Sequence, residues 1–196
     1  LFTFLSSNME FMPEVAKFRA ARRVWAKLMR ETYGSKDPRS EQLRIFVFTA
    51  GSSLTAQQPL NNVVRTSIEA LAAAMGGCQT MHVCAFDEAL GVPTEAAATL
   101  ALRTQQIVAF ETGLTDLVDP LGGSELLERL TDQLEAEVMA EMDKIAELGG
   151  ALACIESGYF ATRLSDSAYE TAIAIDTGKR KVVGVNSFVS DTAEFE

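Results

Sequence analysis

The apolar pattern of this chain switches between two periods four times over. Short β-prone runs at residues 1–5, 44–49, 78–85 and 114–118 each precede a longer stretch with helical spacing. The first helical stripe is Phe11, Val15, Phe18, Trp25 and Met29, with Gly34 as its stop. The second, within residues 60–75, is Val64, Ile68, Leu71 and Met75, closed by Gly76 and Gly77. The third, within 94–112, is Leu100, Ile107 and Phe110. The fourth, within 124–148, is Leu127, Leu130, Leu134, Val138 and Ile145, closed by Gly149 and Gly150. At the head of the first helix Ser7 with Glu10 reads as a capping box, while Pro13 prefers the first turn.

Strand and helix in alternation, with connections long enough for crossovers, predict an α/β fold on a parallel sheet. Ile45-Phe46-Val47-Phe48 shows no polar alternation, as expected where both faces of a strand are covered. Beyond Gly150 the pattern shortens to helices at 152–157 and 166–176 and an extended run at 181–185. Four such units are half of an eight-stranded barrel, and the chain opens inside an apolar strand without an initiator methionine. A half barrel leaves strand edges unpaired, so the pattern admits either an open doubly wound sheet or part of something larger.

With 196 residues, 47% apolar and 22% charged, the composition is that of one globular domain rather than a disordered or fibrous chain. No apolar run is long enough to cross a bilayer, and residues 1–5 lack the basic flank and cleavage site of a signal peptide, so the expected location is the cytoplasm. Cys78, Cys84 and Cys154 are too few and scattered for a disulfide framework and read as buried reduced thiols. One histidine without a CxxC excludes a zinc site of ordinary spacing. A net charge of −10 argues against nucleic acid as partner. Residues 1–44 nevertheless carry nine Lys/Arg against five acids, while the rest carry eight against twenty-two. That basic first quarter is either a site for a small anion or a solvated helix face.

Chemistry in parallel α/β folds sits in the loops that follow the strands. The loop at 49–59 is small and polar, with Gly51 just after the strand, which suits close approach of a flat ligand but also an ordinary strand-to-helix turn. The loop at 85–93 brings Asp87 and Glu88 after a strand in which Thr80, His82 and Cys84 share one face and Gln79, Met81 and Val83 the other. His82 reads as a hydrogen-bonded structural residue or as a ligand or base. Adjacent Asp87 and Glu88 do not make an acid–base pair by spacing. The loop at 119–124 resembles a phosphate cradle without the lysine of a P-loop and reads as a helix cap. No nucleophile elbow, Walker motif, dinucleotide fingerprint or His-Glu-x-x-His is present.

Gly51-Ser52-Ser53-Leu54-Thr55-Ala56-Gln57-Gln58-Pro59-Leu60-Asn61-Asn62-Val63-Val64-Arg65-Thr66 and Ile68-Glu69-Ala70-Leu71-Ala72-Ala73 resemble the barrel domain of adenosylcobalamin-dependent acyl-CoA mutases, the methylmalonyl-CoA mutase large-subunit family. The likeness continues through Phe86-Asp87-Glu88-Ala89-Leu90, Arg103-Thr104-Gln105, Asp119-Pro120, Gly122-Gly123-Ser124, Gly149-Gly150 and Val183-Gly184-Val185-Asn186. The opening from Ala16 to Trp25 is similar to the isobutyryl- and 2-hydroxyisobutyryl-CoA mutase branch.

The resemblance implies a partial (β/α)8 TIM barrel: residues 1–150 as the C-terminal half of the barrel, and 151–196 as a helical tail leading toward a separate B12-binding domain. It implies adenosylcobalamin as cofactor, an acyl-CoA substrate threaded through the barrel, and the first half barrel and B12 domain as partners in an oligomer. Gly51, Glu88 and Gly91 match cobalamin contacts, Gly91 standing where alanine is common. Arg39, Arg44, Gln79 and Thr80 match acyl-CoA contacts, Arg39 replacing a lysine and Thr80 a serine; Thr3 matches a further serine.

The departures are Phe46-Val47-Phe48, where the family usually has His-x-Gln, and Ser52, where it often has Trp or Cys. No residue is assigned as acid, base or metal ligand, and the Asp-x-His-x-x-Gly cobalt-ligating motif does not occur in this sequence. The implied activity is radical isomerisation of a short branched acyl-CoA such as methylmalonyl- or isobutyryl-CoA, absent from the chain in isolation. Phe46 and Phe48 motivate the alternative of a degenerate, non-catalytic acyl-CoA-binding subunit.

Overall fold

The computed structural model describes residues 2–190; Leu1, at the head of the first expected strand, lies outside them. Strands β1 (Phe2–Ser7), β2 (Arg44–Thr49) and β3 (Thr80–His82) form one parallel sheet in the order β1-β2-β3. Phe4 registers with Phe46, and Phe46 with Thr80. Helices α1 (Phe11–Lys27), α2 (Asn61–Met75), α3 (Glu95–Phe110) and α4 (Glu125–Glu147) follow the expected intervals, then α5 (Ala151–Glu156) and α6 (Tyr159–Asp176). The fold is therefore α/β with a small parallel sheet, as a partial barrel requires.

The expected fourth strand at 114–118 is instead a single 3-10 turn, Leu114–Asp116. Local bonds satisfy the backbone there: Gly113 adopts φ 72°, Leu114 N donates to Thr112 Oγ1 at 3.2 Å, and Thr115 Oγ1 donates to Ala109 O at 3.1 Å. A strand needs a neighbour, and this segment has none among the described residues. The run at 181–185 is likewise a turn, in which Asn186 accepts from Val182 N and donates to Ile175 O and Arg180 O. The capping box does not form. Glu10 is the N-cap, Pro13 sits in the first turn, and Ser7 Oγ donates instead to Glu69 O at 2.8 Å.

The chain divides into two compact units, 1–138 and 139–196. In the first, Phe18, Leu43, Ile45, Val47 and Ala73 form a core with Leu5, Trp25 and Met81 packed on it. Val15, Ala16, Ala72 and Leu127 form another cluster, and Ala70, Val83, Ala85, Ala97 and Ala101 a third. In the second unit, Tyr159 donates to Glu141 at 2.6 Å under the Lys144 ammonium, and Cys154 is buried. Cys84 is also buried, Cys78 half-buried, and all three thiols are free. No described helix is long and apolar enough to cross a membrane.

Two expectations about burial are overturned. β2 alternates strictly: Ile45, Val47 and Thr49 are buried against helices while Arg44 and Phe48 are exposed and Phe46 is half-exposed. One face of the sheet is thus covered and the other open. On α2 the apolar stripe is not the buried one. Val64 is 61% exposed, whereas Asn62, Arg65, Thr66 and Glu69 are buried beside Ala70, Ala72 and Ala73. The alanines let the helix lie close to the sheet, and the polar stripe bonds the strand-following loops.

Candidate functional site

Parallel strands give the sheet a direction, and the two ends differ chemically. At the C-terminal end β2 runs into the Gly51–Ser53 turn and β3 into the turn holding Glu88 and Gly91. Gly51 and Gly91 are exposed, and a side chain at either would meet nothing within 4 Å, so a flat ring can approach both backbones. Glu88 is half-buried and its Oε1 accepts from Ala85 N at 2.6 Å, which fixes the carboxylate at the start of the turn.

Asn62 ties these two loops together. Its Nδ2 donates to Thr55 O at 2.9 Å and Phe86 O at 2.8 Å, and its Oδ1 accepts from Thr55 N and from Arg65 Nη1. Asp87 holds the far end of its loop by accepting from Thr94 N and Oγ1, while Thr94 caps α3 through Ala97 N. Below the Gly51 turn lies Glu69, fully buried, with neither carboxylate oxygen in a hydrogen bond among the described residues. Desolvation pushes its carboxyl up to about 7, opposed by the nearby Ser53 hydroxyl and Ala50 N–H.

Asn62, Arg65 and Glu69 were missed by periodicity read from apolar residues alone. Their signal was present as polar residues at helical spacing beside alanines, 62, 65/66 and 69.

The N-terminal end of the sheet is cationic. A cleft of about 610 Å³ is lined there by Arg19, Arg22, Arg23, Arg44 and Gln79 together with Glu41, Asp119 and Glu128. Most of its arginines are spent on structure. Arg19 pairs with Asp119 and Glu128, Arg23 with Asp132 and Glu135, and Arg22, whose pKa burial lowers, donates to Gly77 O. Three of the nine basic residues of the first quarter, Arg19, Arg23 and Lys27, thus form a seam between α1 and the segment 119–135, and the others do not take part in it. Arg44 is exposed and its guanidinium has no hydrogen-bond or ion-pair partner among the described residues. Arg39 is exposed and forked onto Asp37, whose carboxyl it holds below the usual range.

Thr80 lies on the open face beside Phe46, while the Gln79 amide accepts from Ile45 N at 2.6 Å and donates to Gly77 O. Thr3 registers with Ile45 and so lies on the covered face, apart from Arg44 and Thr80. The expected set is thus split: Arg39, Arg44, Gln79 and Thr80 toward one end, Gly51, Glu88 and Gly91 at the other.

Between the two ends the open face is aromatic. Phe2 is 63% and Phe4 59% exposed. The Phe2 and Phe4 rings meet edge to face at 5.4 Å, the Phe4 and Phe46 rings at 5.1 Å. An open aromatic face on a parallel sheet whose other face is covered by helices fits one wall of a partial barrel.

A family model described as methylmalonyl-CoA mutase matches residues 1–196. The chain belongs to the methylmalonyl-CoA mutase family. The 2-hydroxyisobutanoyl-CoA mutase large subunit of Aquincola tertiaricarbonis is 46% identical over 188 residues, 96% of this chain and 34% of that protein. The methylmalonyl-CoA mutase of Escherichia coli is 44% identical over 188 residues, 96% of this chain and 26% of that enzyme. The mitochondrial methylmalonyl-CoA mutase of Homo sapiens is 40% identical over 185 residues, 94% and 25% respectively. The chain thus spans a quarter to a third of the length of these mutases.

Proposed function

We propose that this chain supplies one wall of an adenosylcobalamin-dependent acyl-CoA mutase barrel, acting with a further half barrel and a B12-binding domain toward which residues 151–196 lead. The observation that carries this reading is the polarity of the open sheet face within a chain matched throughout by the mutase family. Arg44 and Thr49 bound β2, about 17 Å apart by the rise of a parallel strand. That spacing separates an anion-binding edge from a cofactor-binding edge.

The residues at the C-terminal edge fit a corrinoid: two exposed glycine backbones without obstruction, and a carboxylate held by its own turn. Gly51, Glu88 and Gly91 would hold it. Bound there, adenosylcobalamin supplies a cobalt–carbon bond that breaks homolytically to begin a radical rearrangement. The chain's own residues bind, orient and exclude water. Arg39 and Arg44 offer guanidinium groups to the phosphates of coenzyme A. Thr80 offers a hydroxyl to its amide arm, and Gln79 holds the start of β3 in register beside it. Thr3, on the covered face, contributes to the sheet rather than to the ligand.

Phe46 and Phe48 present rings with no donor, and an unpaired carboxylate against them would be desolvated at a cost of several kcal/mol. An uncharged ester such as isobutyryl-CoA therefore suits this wall better than methylmalonyl-CoA. The non-catalytic alternative gains nothing beyond those two rings.

The test is reconstitution of the chain with a complementary half barrel and B12 domain from a related mutase, followed by assay of isobutyryl-, 2-hydroxyisobutyryl- and methylmalonyl-CoA. Isomerisation of an uncharged ester, lost in Glu88→Ala, is expected. An assembly that binds coenzyme A and corrinoid yet converts none of the three esters would overturn the catalytic reading.

A further inference from the structure

Where β3 ends, three donors of different chemistry converge. His82 closes the strand, Cys84 follows two residues later, and the turn beyond returns Glu88 toward both. One ligand atom from each, an imidazole nitrogen, a thiol sulfur and a carboxylate oxygen, lie within 4.8 Å of one another. We propose that His82, Cys84 and Glu88 form a binding site for a borderline divalent transition ion, zinc or cobalt(II), with one coordination position left open.

The local structure is organised for this. The Cys84 backbone is anchored by its N donating to Thr49 Oγ1 at 2.8 Å, while its thiol donates to Thr49 O at 3.1 Å, a bond that coordination to an ion would replace. Glu88 is held by Ala85 N. His82 is exposed and its ring has no hydrogen-bond or ion-pair partner among the described residues, so the ring is free to swing in.

Donors around a tetrahedral ion stand roughly 3.3–3.8 Å apart, given metal–ligand distances near 2.0–2.3 Å. Closing the cluster from 4.8 Å or less takes movement of about an ångström, available to the exposed His82 side chain without shifting the strand. A mixed nitrogen, sulfur and oxygen set disfavours magnesium and calcium, which prefer all-oxygen shells, and suits zinc or cobalt. Three protein ligands leave the fourth position to water or another small ligand.

A cysteine thiol is protonated near neutral pH and binds a metal as the thiolate, so coordination by Cys84 displaces its proton and one proton leaves for each ion bound. Nothing in this site needs coenzyme A or a corrinoid, so it stands apart from the mutase reading, although Glu88 is common to both.

The experiment is titration of the full chain, freed of metal with a chelator and free of corrinoid, with cobalt(II) and then zinc. A thiolate-to-cobalt charge-transfer absorption at one ion per chain, removed by zinc and accompanied by release of one proton, is the expected result. Cys84→Ser should abolish the absorption, and His82→Asn and Glu88→Gln should each weaken binding at least about tenfold. Cys78→Ser should leave it unchanged. His82 is exposed, so its variant keeps the test open if Cys84→Ser does not fold, with circular dichroism reporting the fold. The proposal is overturned by a folded chain that shows no such absorption, by absorption that persists in Cys84→Ser, or by affinity that His82→Asn leaves intact. Corrinoid binding is not part of the readout, so neither outcome decides the mutase reading.

Discussion

The two faces of the three-stranded sheet carry residues of similar apolarity and meet opposite fates. Ile45 and Val47 are fully buried under α1 and α2, whereas Phe46 and Phe48, interleaved with them on the same strand, stand open beside Phe2 and Phe4. Hydrophobicity does not distinguish the faces; what each is offered to pack against does. The covered face provides stability. The open face, flanked by Arg44 and Thr80 toward one end and Gly51 and Glu88 at the other, is the one the proposed function gives to the ligand.

The largest test of that contrast is Ile45→Ala, which should cost about 3 kcal/mol by opening a cavity in the main cluster, measured by chemical denaturation. A cost below that expected for Phe46→Ala would invert the assignment of faces.

Next is the buried carboxyl at the seam between sheet and loops. Because Glu69 binds its proton more tightly folded than unfolded, with a folded value of about 7 against an ordinary 4.5, its contribution to stability is complete below about 4.5. It is lost as pH rises through about 7. The loss amounts to about 3 kcal/mol at 1.36 kcal/mol per unit. Glu69→Gln should remove this part of the pH profile, and an unchanged profile would place the carboxyl in water.

On the open face Phe48→Ala should change stability by less than about 1 kcal/mol, while altering which acyl-CoA the reconstituted assembly accepts. The smallest effect belongs to the cationic seam: Asp132→Ala removes an exposed partner of Arg23 and should cost no more than about 0.5 kcal/mol, fading with salt.

Much of the fold was legible because it depends on spacing. The first three strands and helices α1 to α4 were readable in place from period and from glycine stops, although β3 is shorter than the run at 78–85 and α6 begins before residue 166. Leu114 to Val118 misled because β-prone residues make a strand only beside a partner, and here Thr112 and Thr115 capture the backbone first. Val64 is exposed although it belongs to the apolar stripe of α2, because the alanines and the polar residues of that helix lie against the sheet and the loops. Thr3 lies on the covered face because side chains alternate along a strand and its register with Ile45 assigns the face.

The sequence by itself determined the alternation of strand and helix, the membership in the mutase family and the residue types available at each strand end. Tertiary structure alone decided that one sheet face is covered and the other open. It also decided that the arginines of α1 are mostly paired and that His82, Cys84 and Glu88 come within reach of one ion. The physical reason is that periodicity states which side chains share a face. Whether that face meets a helix, a charge or open space depends on contacts between residues far apart in the chain.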